Sequence, residues 1–508
     1  MWDFIIWAAI LGLLFLVWDC IEVGRNDAAN LVNAVFGARV MKRQTAVLIA
    51  GIAVIAGASF SAPVMETARK GIFNPSVLTV HMALSIYVSV YFVDTILLYG
   101  FSGFGMPVST TACLVFELVG AALFLAGWDN VAWLKVGSVT KGIIFSIVIS
   151  GIGSFLIMRV FRGAIRDGDR DRERVMLHGP WIAGALFTFL TWFMLFKGLK
   201  NVEAIKELKM IVVSYSEWGV LAGLWCAYTF LTHLFLVVTH RTGYRYLFPF
   251  TAVLGMLCMS FAFGQNDLAN AASPGLAAFA LWQSGGAMTD TAALGTKIDI
   301  PIWALFGCGL LMAFGMLSKY AQRVTRAAVN TGSQYHQVAL YAPNWCKALA
   351  RKLLRMRGDQ QVLAPEPELS DAGKKIHFDT LRASVITAVS ASVIAFASGH
   401  GLPVSTTYVA FAAVIGTGLS DRVFSRGNSD VKMGRAIWVV SCWLIAPLVA
   451  IVVTGCVALI VYHLTVVGLI IAIGLNFGAR MFFKRRSDKH EQRFHAEPAA
   501  ATAGEYQE

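Results

Sequence analysis

Two septets place the same polar residues in the middle of long apolar stretches. They read Gly24-Arg25-Asn26-Asp27-Ala28-Ala29-Asn30, inside 4–38, and Gly264-Gln265-Asn266-Asp267-Leu268-Ala269-Asn270, inside 247–284. A carboxylate or amide is expensive in lipid unless it faces a cavity or a partner. Asp27 and Asp267 offer negative oxygen ligands suited to a hard cation such as sodium. Asn26, Asn30, Asn266 and Asn270 can turn carbonyl oxygens to that cation or amide donors to an oxyanion. One such cluster could simply glue helices together; two matched copies argue for chemistry. The polar residues also predict a break in each helix, with carbonyls exposed at one half-end and N–H groups at the other, able to hold a cation and an anion side by side.

A second pair of segments, Pro107-Val108-Ser109-Thr110-Thr111 and Pro403-Val404-Ser405-Thr406-Thr407, has the form of a helix start. Proline suits the first turn and Ser or Thr caps it. A helix N-terminus in the membrane presents free N–H groups and positive potential, which suits an oxyanion. Ser109, Thr110, Thr111, Ser405, Thr406 and Thr407 add hydroxyl donors without adding charge. Among other polar residues, Glu22 precedes the first septet and Asp94 the first Ser-Thr-Thr, so Glu22, Arg25 and Asp94 are pathway candidates.

The elements that must position these residues are membrane helices. Hydrophobic residues make up 57% of the 508 and charged ones 14%, with a mean hydropathy of +0.64. Soluble domains carry roughly a quarter charged residues. The eight cysteines have neither zinc nor redox spacing and read as small core residues. The net charge of +12 falls in short clusters between apolar runs, as cytoplasmic loops do, which argues against a nucleic-acid partner. The expected fold is an all-α polytopic membrane protein of 12–13 spans, built as two inverted repeats with broken helices at a midplane site, in the cell membrane.

The motifs define the repeat. Gly24 precedes Pro107 by 83 positions and Gly264 precedes Pro403 by 139, an excess close to the length of the polar stretch 319–381. The expected organisation is a first repeat at 1–158, a loop and two connecting spans at 159–246, and the first part of the second repeat at 247–318. A hydrophilic cytoplasmic insert, part helical and part disordered, follows at 319–381. The rest of the second repeat, with a possible extra span, occupies 382–478, and a disordered cytoplasmic tail 479–508. Five spans in the first unit and two connectors are an odd number, so the second unit enters with opposite sense. Repeats of this kind with polar breaks point to a transporter.

Both septets fit the Gly-x-Asn-Asp-x-x-Asn signature of the PiT family of inorganic phosphate transporters, and both Pro-x-Ser-Thr-Thr segments resemble its second signature. The resemblance covers about 4–460, the insert included. It implies import of inorganic phosphate by sodium- or proton-coupled symport, with phosphate between the Ser-Thr-Thr helix starts and the septets. The cation would sit near Asp27 and Asp267, and a homodimer is implied. No enzyme activity and no cofactor beyond the coupling cation are expected. Two departures stand out. Arg25 occupies a position where the family has a small residue; it is expected at the membrane rim. An acid before the Ser-Thr-Thr occurs in the first half, as Asp94, and not after Asp379 in the second. Competing readings are a sulfate or other tetrahedral oxyanion permease and, from another class, an intramembrane aspartyl protease using Asp27 and Asp267.

Overall fold

A computed structural model describes residues 2–65, 77–166, 171–200, 202–213, 216–239, 242–292, 300–334, 340–356, 376–425 and 429–504. Among the described residues the chain is helical, almost all of it α-helix, and the one pairing of extended chain is an isolated bridge between Thr79 and Thr291. In the first half these are α1 (Trp2–Gly37), α2 (Arg43–Ala58), α3 (Val80–Gly103), α4 (Thr110–Ala126) and α5 (Trp133–Ala164). Three connecting helices follow: α6 (Arg172–Thr191), which runs into a π-helical turn at Trp192–Gly198, α7 (Glu203–Val213) and α8 (Glu217–Val238). The second half holds α9 (Tyr244–Gln283), α10 (Ile302–Met316), α11 (Lys319–Thr331), α12 (Asn344–Met356), α13 (Thr380–Gly399), α14 (Thr406–Ser420) and α15 (Ser429–Gly504).

Eight of these helices are long and apolar enough to cross a membrane, or nine if the bent pair α10–α11 counts as one span. The expected 12–13 also took in the shorter apolar helices α2, α4 and α14, which fall below that length. It also counted two spans over 435–478, where α15 breaks at Thr465, whose backbone (φ 49°, ψ −119°) is not helical. Lipid-facing helices such as α8 turn most of their apolar side chains outward, as the bilayer requires.

Packing is duplicated between the halves. Helix α1 lies against α3 and α10, and α9 lies against α13 and α2; α4 packs on α15 and α14 on α5. Each half therefore lends helices to the other. The contact that makes this possible begins each septet. A Cβ on Gly24 would lie 1.9 Å from the Met312 carbonyl oxygen of α10, and one on Gly264 would lie 2.2 Å from the Val54 carbonyl oxygen of α2. Backbones this close need small residues at the crossing.

Two expectations change. The septets do not break their helices: α1 and α9 are continuous through them. The interruptions lie instead at 104–109 and 400–405, where Gly105 (φ +68°) and Gly401 (φ +65°) turn the chain two residues before Pro107 and Pro403. Glycine takes that left-handed conformation without a Cβ penalty. The tail from 479, expected to be disordered, continues α15 as helix through Gly504. Of the insert, α11 is packed on α1 and α12 on α15, while residues 357–375 lie outside the described residues.

Candidate functional site

The four motifs meet. Asn26 on α1 donates to the Val108 carbonyl at 2.6 Å and its carbonyl oxygen accepts from the Val108 N–H at 3.4 Å. Asn266 on α9 repeats this with Val404, at 2.7 and 3.3 Å. These two asparagines therefore act as latches, with both ends of the amide committed to the backbone just after each proline. Proline has no N–H to offer the helix start, and the asparagine binds the next one along.

The aspartates reach across to the other half. Thr407 donates to Asp27 at 2.5 Å, and Thr110 donates to Asp267 at 2.6 Å. Asn30 donates to Asp27 at 2.6 Å and to Thr407 at 3.1 Å. Asn270 donates to Thr111 at 2.7 Å and to Asp267 at 3.3 Å. The helix starts also face each other: Thr111 donates to the Val404 carbonyl at 2.8 Å, and Thr407 Oγ1, whose one proton goes to Asp27, lies 3.2 Å from the Val108 carbonyl oxygen. Ser109 and Ser405 are N-caps, accepting from Ala112 N at 3.0 Å and Tyr408 N at 3.1 Å, and each keeps a hydroxyl proton to donate. Two positive helix ends thus converge on one buried point.

Every one of these side chains is nearly inaccessible, yet three polar atoms have no protein partner. They are Asp27 Oδ2, Asn270 Oδ1 and Thr406 Oγ1. Buried polar atoms are paired in the great majority of cases, and these three keep the capacity to take a further partner. The two halves also differ in one detail. Asp27 uses the last threonine of the facing segment, Thr407, whereas Asp267 uses the middle one, Thr110.

The remaining candidates lie elsewhere. Arg25 is buried, not at the rim: it pairs with Glu22 one turn back and sits over the rings of Tyr99 and Tyr320, 4.6 and 5.4 Å from the centroids. Glu22 also accepts from Arg480 at 3.0 Å and from the Trp18 indole at 3.0 Å. Asp94 faces Asp19 of α1, both of them buried. None of Glu22, Arg25 and Asp94 is hydrogen-bonded to the septet carboxylates or the hydroxyls.

Arg480 was missed by the sequence reading. Its guanidinium is held by Asn476, Glu22 and the Thr95 carbonyl and stacks 4.1 Å from the Trp18 ring. The available signal was the spacing of Asn476 and Arg480, four residues apart on the face of α15 that buries Leu469 and Ala472. Asp19, which shares the apolar run 4–23 with Glu22, was equally visible.

The chain matches the phosphate transporter family over residues 23–335 and 370–454. It is 30% identical over 432 residues to the "Putative phosphate permease" of Thermococcus kodakarensis, covering 82% of this chain and 90% of that one. To the protein of the same name in Pyrococcus abyssi it is 29% identical, covering 85% and 93%. A solved structure described as the sodium-dependent phosphate transporter shares the fold, with a TM-score of 0.65 at 21% identity over 90% of this chain and 99% of that one. The aspartyl protease reading falls with this result, and with the geometry, since Asp27 and Asp267 bond to threonine and asparagine and not to each other. The paired motifs, the apolar helices and the sequence match agree: the chain belongs to the phosphate transporter family, a multi-pass membrane protein that carries phosphate and not an enzyme.

Proposed function

We propose that this chain imports inorganic phosphate by cation-coupled symport with alternating access. Phosphate binds between the facing starts of α4 and α14, and the cation binds at Asp27 and Asp267. The observation that carries this reading is the convergence of both helix starts and both carboxylates in one buried cluster. Ser109, Ser405 and Thr406 keep hydroxyl protons to donate to phosphate, and Thr110, Thr111 and Thr407 join them when phosphate draws their protons from Asp267, the Val404 carbonyl and Asp27. Asn30 and Asn270 serve the cation and the anion together, and Asn26 and Asn266 position the two helix starts.

Electrostatics supplies the coupling. At about 4 Å and an effective dielectric of about 20, two like unit charges repel by about 4 kcal/mol. Phosphate brought beside an ionised Asp27 or Asp267 would lose about a thousandfold in affinity on that account. A cation at the carboxylate, or a proton on it, removes the penalty, so the anion binds only with its counter-charge. Among the described residues no group of three or more His, Cys, Asp and Glu side chains is placed to hold a metal ion. The donor set at the motifs is one carboxylate at a time with neutral amide, hydroxyl and carbonyl oxygens. That suits a hard monovalent ion such as sodium better than a transition metal, and a solved relative in fold is described as sodium-dependent. The same reading includes a homodimer in the bilayer, checked by the mass of the purified protein in lipid nanodiscs.

The test is uptake of labelled phosphate into proteoliposomes, with sodium and proton gradients imposed separately and sulfate added as competitor. Symport predicts uptake that follows one gradient and ignores sulfate. Uptake indifferent to both gradients would refute the coupling, and block by excess sulfate would widen the substrate to tetrahedral oxyanions.

A further inference from the structure

On another side of the first Ser-Thr-Thr turn lies a basic cavity that the transport reading does not use. It is lined by Gly105 of that turn, Arg323 and Arg326 of α11, Arg435 near the start of α15, and His490 and Glu491 near its other end. Arg435 is almost fully buried. It donates to the Gly105 carbonyl at 2.7 Å and to the Tyr341 carbonyl at 3.2 Å, while its Nε has no partner. Arg323 donates to the Gly103 carbonyl at 3.3 Å and to Asp488 at 2.7 Å. Glu491 accepts from Arg326 at 2.8 Å and lies 4.0 Å from Arg323 Nε. Arg323 and Arg326 thus meet two carboxylates of α15, while Arg435 is held by backbone carbonyls. A buried arginine with a donor to spare is costly to leave so.

We propose that this cavity is a second oxyanion site, in which a phosphate group takes the place of the Glu491 carboxylate on Arg323 and Arg326 and also receives the idle Nε of Arg435. Carboxylate and phosphate compete for the same fork of N–H donors, and a phosphate has oxygens enough to serve three arginines at once. Occupied, the site ties the turn before Ser109 to α11 and to both ends of α15, so it is placed to regulate a transporter rather than to carry the ion. Free phosphate as the occupant rests on the transport reading above; a phosphate headgroup of an anionic lipid has the same chemistry.

Equilibrium binding of labelled phosphate to the purified full-length protein in neutral detergent tests this. Two phosphates per chain are expected. With sodium present, Thr406→Val, which removes a hydroxyl donor but no charge, should weaken the one at the motifs and leave the other. Arg326→Gln should do the reverse, with uptake under zero internal phosphate kept as the check that the variant is folded. Glu491→Gln removes the competing carboxylate and should tighten the second site by about tenfold. Loss of the second phosphate when phosphatidylglycerol is added, with the first retained, identifies the headgroup as the occupant. A single phosphate per chain in both the native protein and Glu491→Gln, or a second one indifferent to Arg326→Gln and Glu491→Gln, would overturn the proposal. Failure of the transport reading would appear differently, as an Asp27→Asn protein whose gradient-driven phosphate uptake is normal.

Discussion

At the scale of single residues, the two aspartates are the parts whose removal should be most specific. Asp27→Asn and Asp267→Asn keep the volume of the side chain and remove its charge. Each should abolish gradient-driven phosphate uptake while leaving the protein in the membrane at normal abundance; near-normal uptake by both would remove the cation from these positions. The threonines separate more finely. Thr407→Val and Thr110→Val each take a donor from an aspartate, a loss of about 1–3 kcal/mol for a buried charge-assisted bond, and should raise the cation concentration for half-maximal uptake about tenfold or more. Thr111→Val leaves Asp267 its bond from Thr110, so its effect on cation dependence should be much smaller. Equal shifts for Thr110 and Thr111 variants would mean that the asymmetry of the two halves has no functional weight. All these residues were legible in the sequence, because Asp and Asn in an apolar run and Ser-Thr-Thr after proline are rare enough to stand out. Which threonine serves which aspartate was not legible, since the pairing crosses between halves hundreds of residues apart.

At the scale of elements, the septet glycines matter for a reason that spacing alone did not expose. Gly24 and Gly264 open the septets, whose polar residues, read alone, predict a break in each helix. The helices are instead unbroken, and the glycines let α1 and α9 press onto the backbones of α10 and α2. A polar cluster in an apolar run therefore has two solutions: a break that frees backbone groups, or a continuous helix whose polar side chains find partners on a neighbour. Here the partners, Val108 and Val404, come from segments far away in sequence, so the choice could not be read locally. Gly264→Ala should cost about 1–3 kcal/mol through overpacking and lower the midpoint of thermal unfolding in detergent. Gly137→Ala, where a Cβ on α5 would meet nothing, should leave it unchanged or slightly raised. Equal midpoints for the two variants would show that the crossing tolerates separation.

At the scale of the whole molecule, the two halves are bound to one another away from the motifs as well. Arg162 at the end of α5 pairs with Asp379, the N-cap of α13, and with Asp421, the C-cap of α14, at 2.8 Å; Gln334 donates to both carboxylates at 3.0 and 3.2 Å. Burial alone would raise the pKa of Asp379, but Arg162, the Arg382 N–H and Gln334 together hold it below its ordinary 3.8. A carboxylate depressed in the folded state contributes stability above its unfolded pKa and loses it as pH falls through the folded one. The destabilisation of Asp379→Asn relative to the native protein should therefore be constant from neutral pH down to about 4 and shrink only below that. A difference that vanished already near neutral pH would show that the carboxylate is not held in this way. The basic residues at this clamp were visible in the sequence as loop charges, but their partners were not, because ion pairs between distant segments leave no periodic signal. The tail shows the same limit, with Arg480 legible as a positive charge and illegible as a buried one.

The most direct test of the central claim, that phosphate and its coupling cation share the cluster where the four motifs meet, is the phosphate affinity of the purified protein while sodium and pH are varied in turn. Linkage requires each ligand to strengthen the other by the same factor. The account predicts that sodium or protons raise phosphate affinity at the motif cluster by about tenfold or more, and that Asp27→Asn abolishes the increase. An affinity indifferent to both cations, or an increase that survives in both aspartate variants, would contradict it.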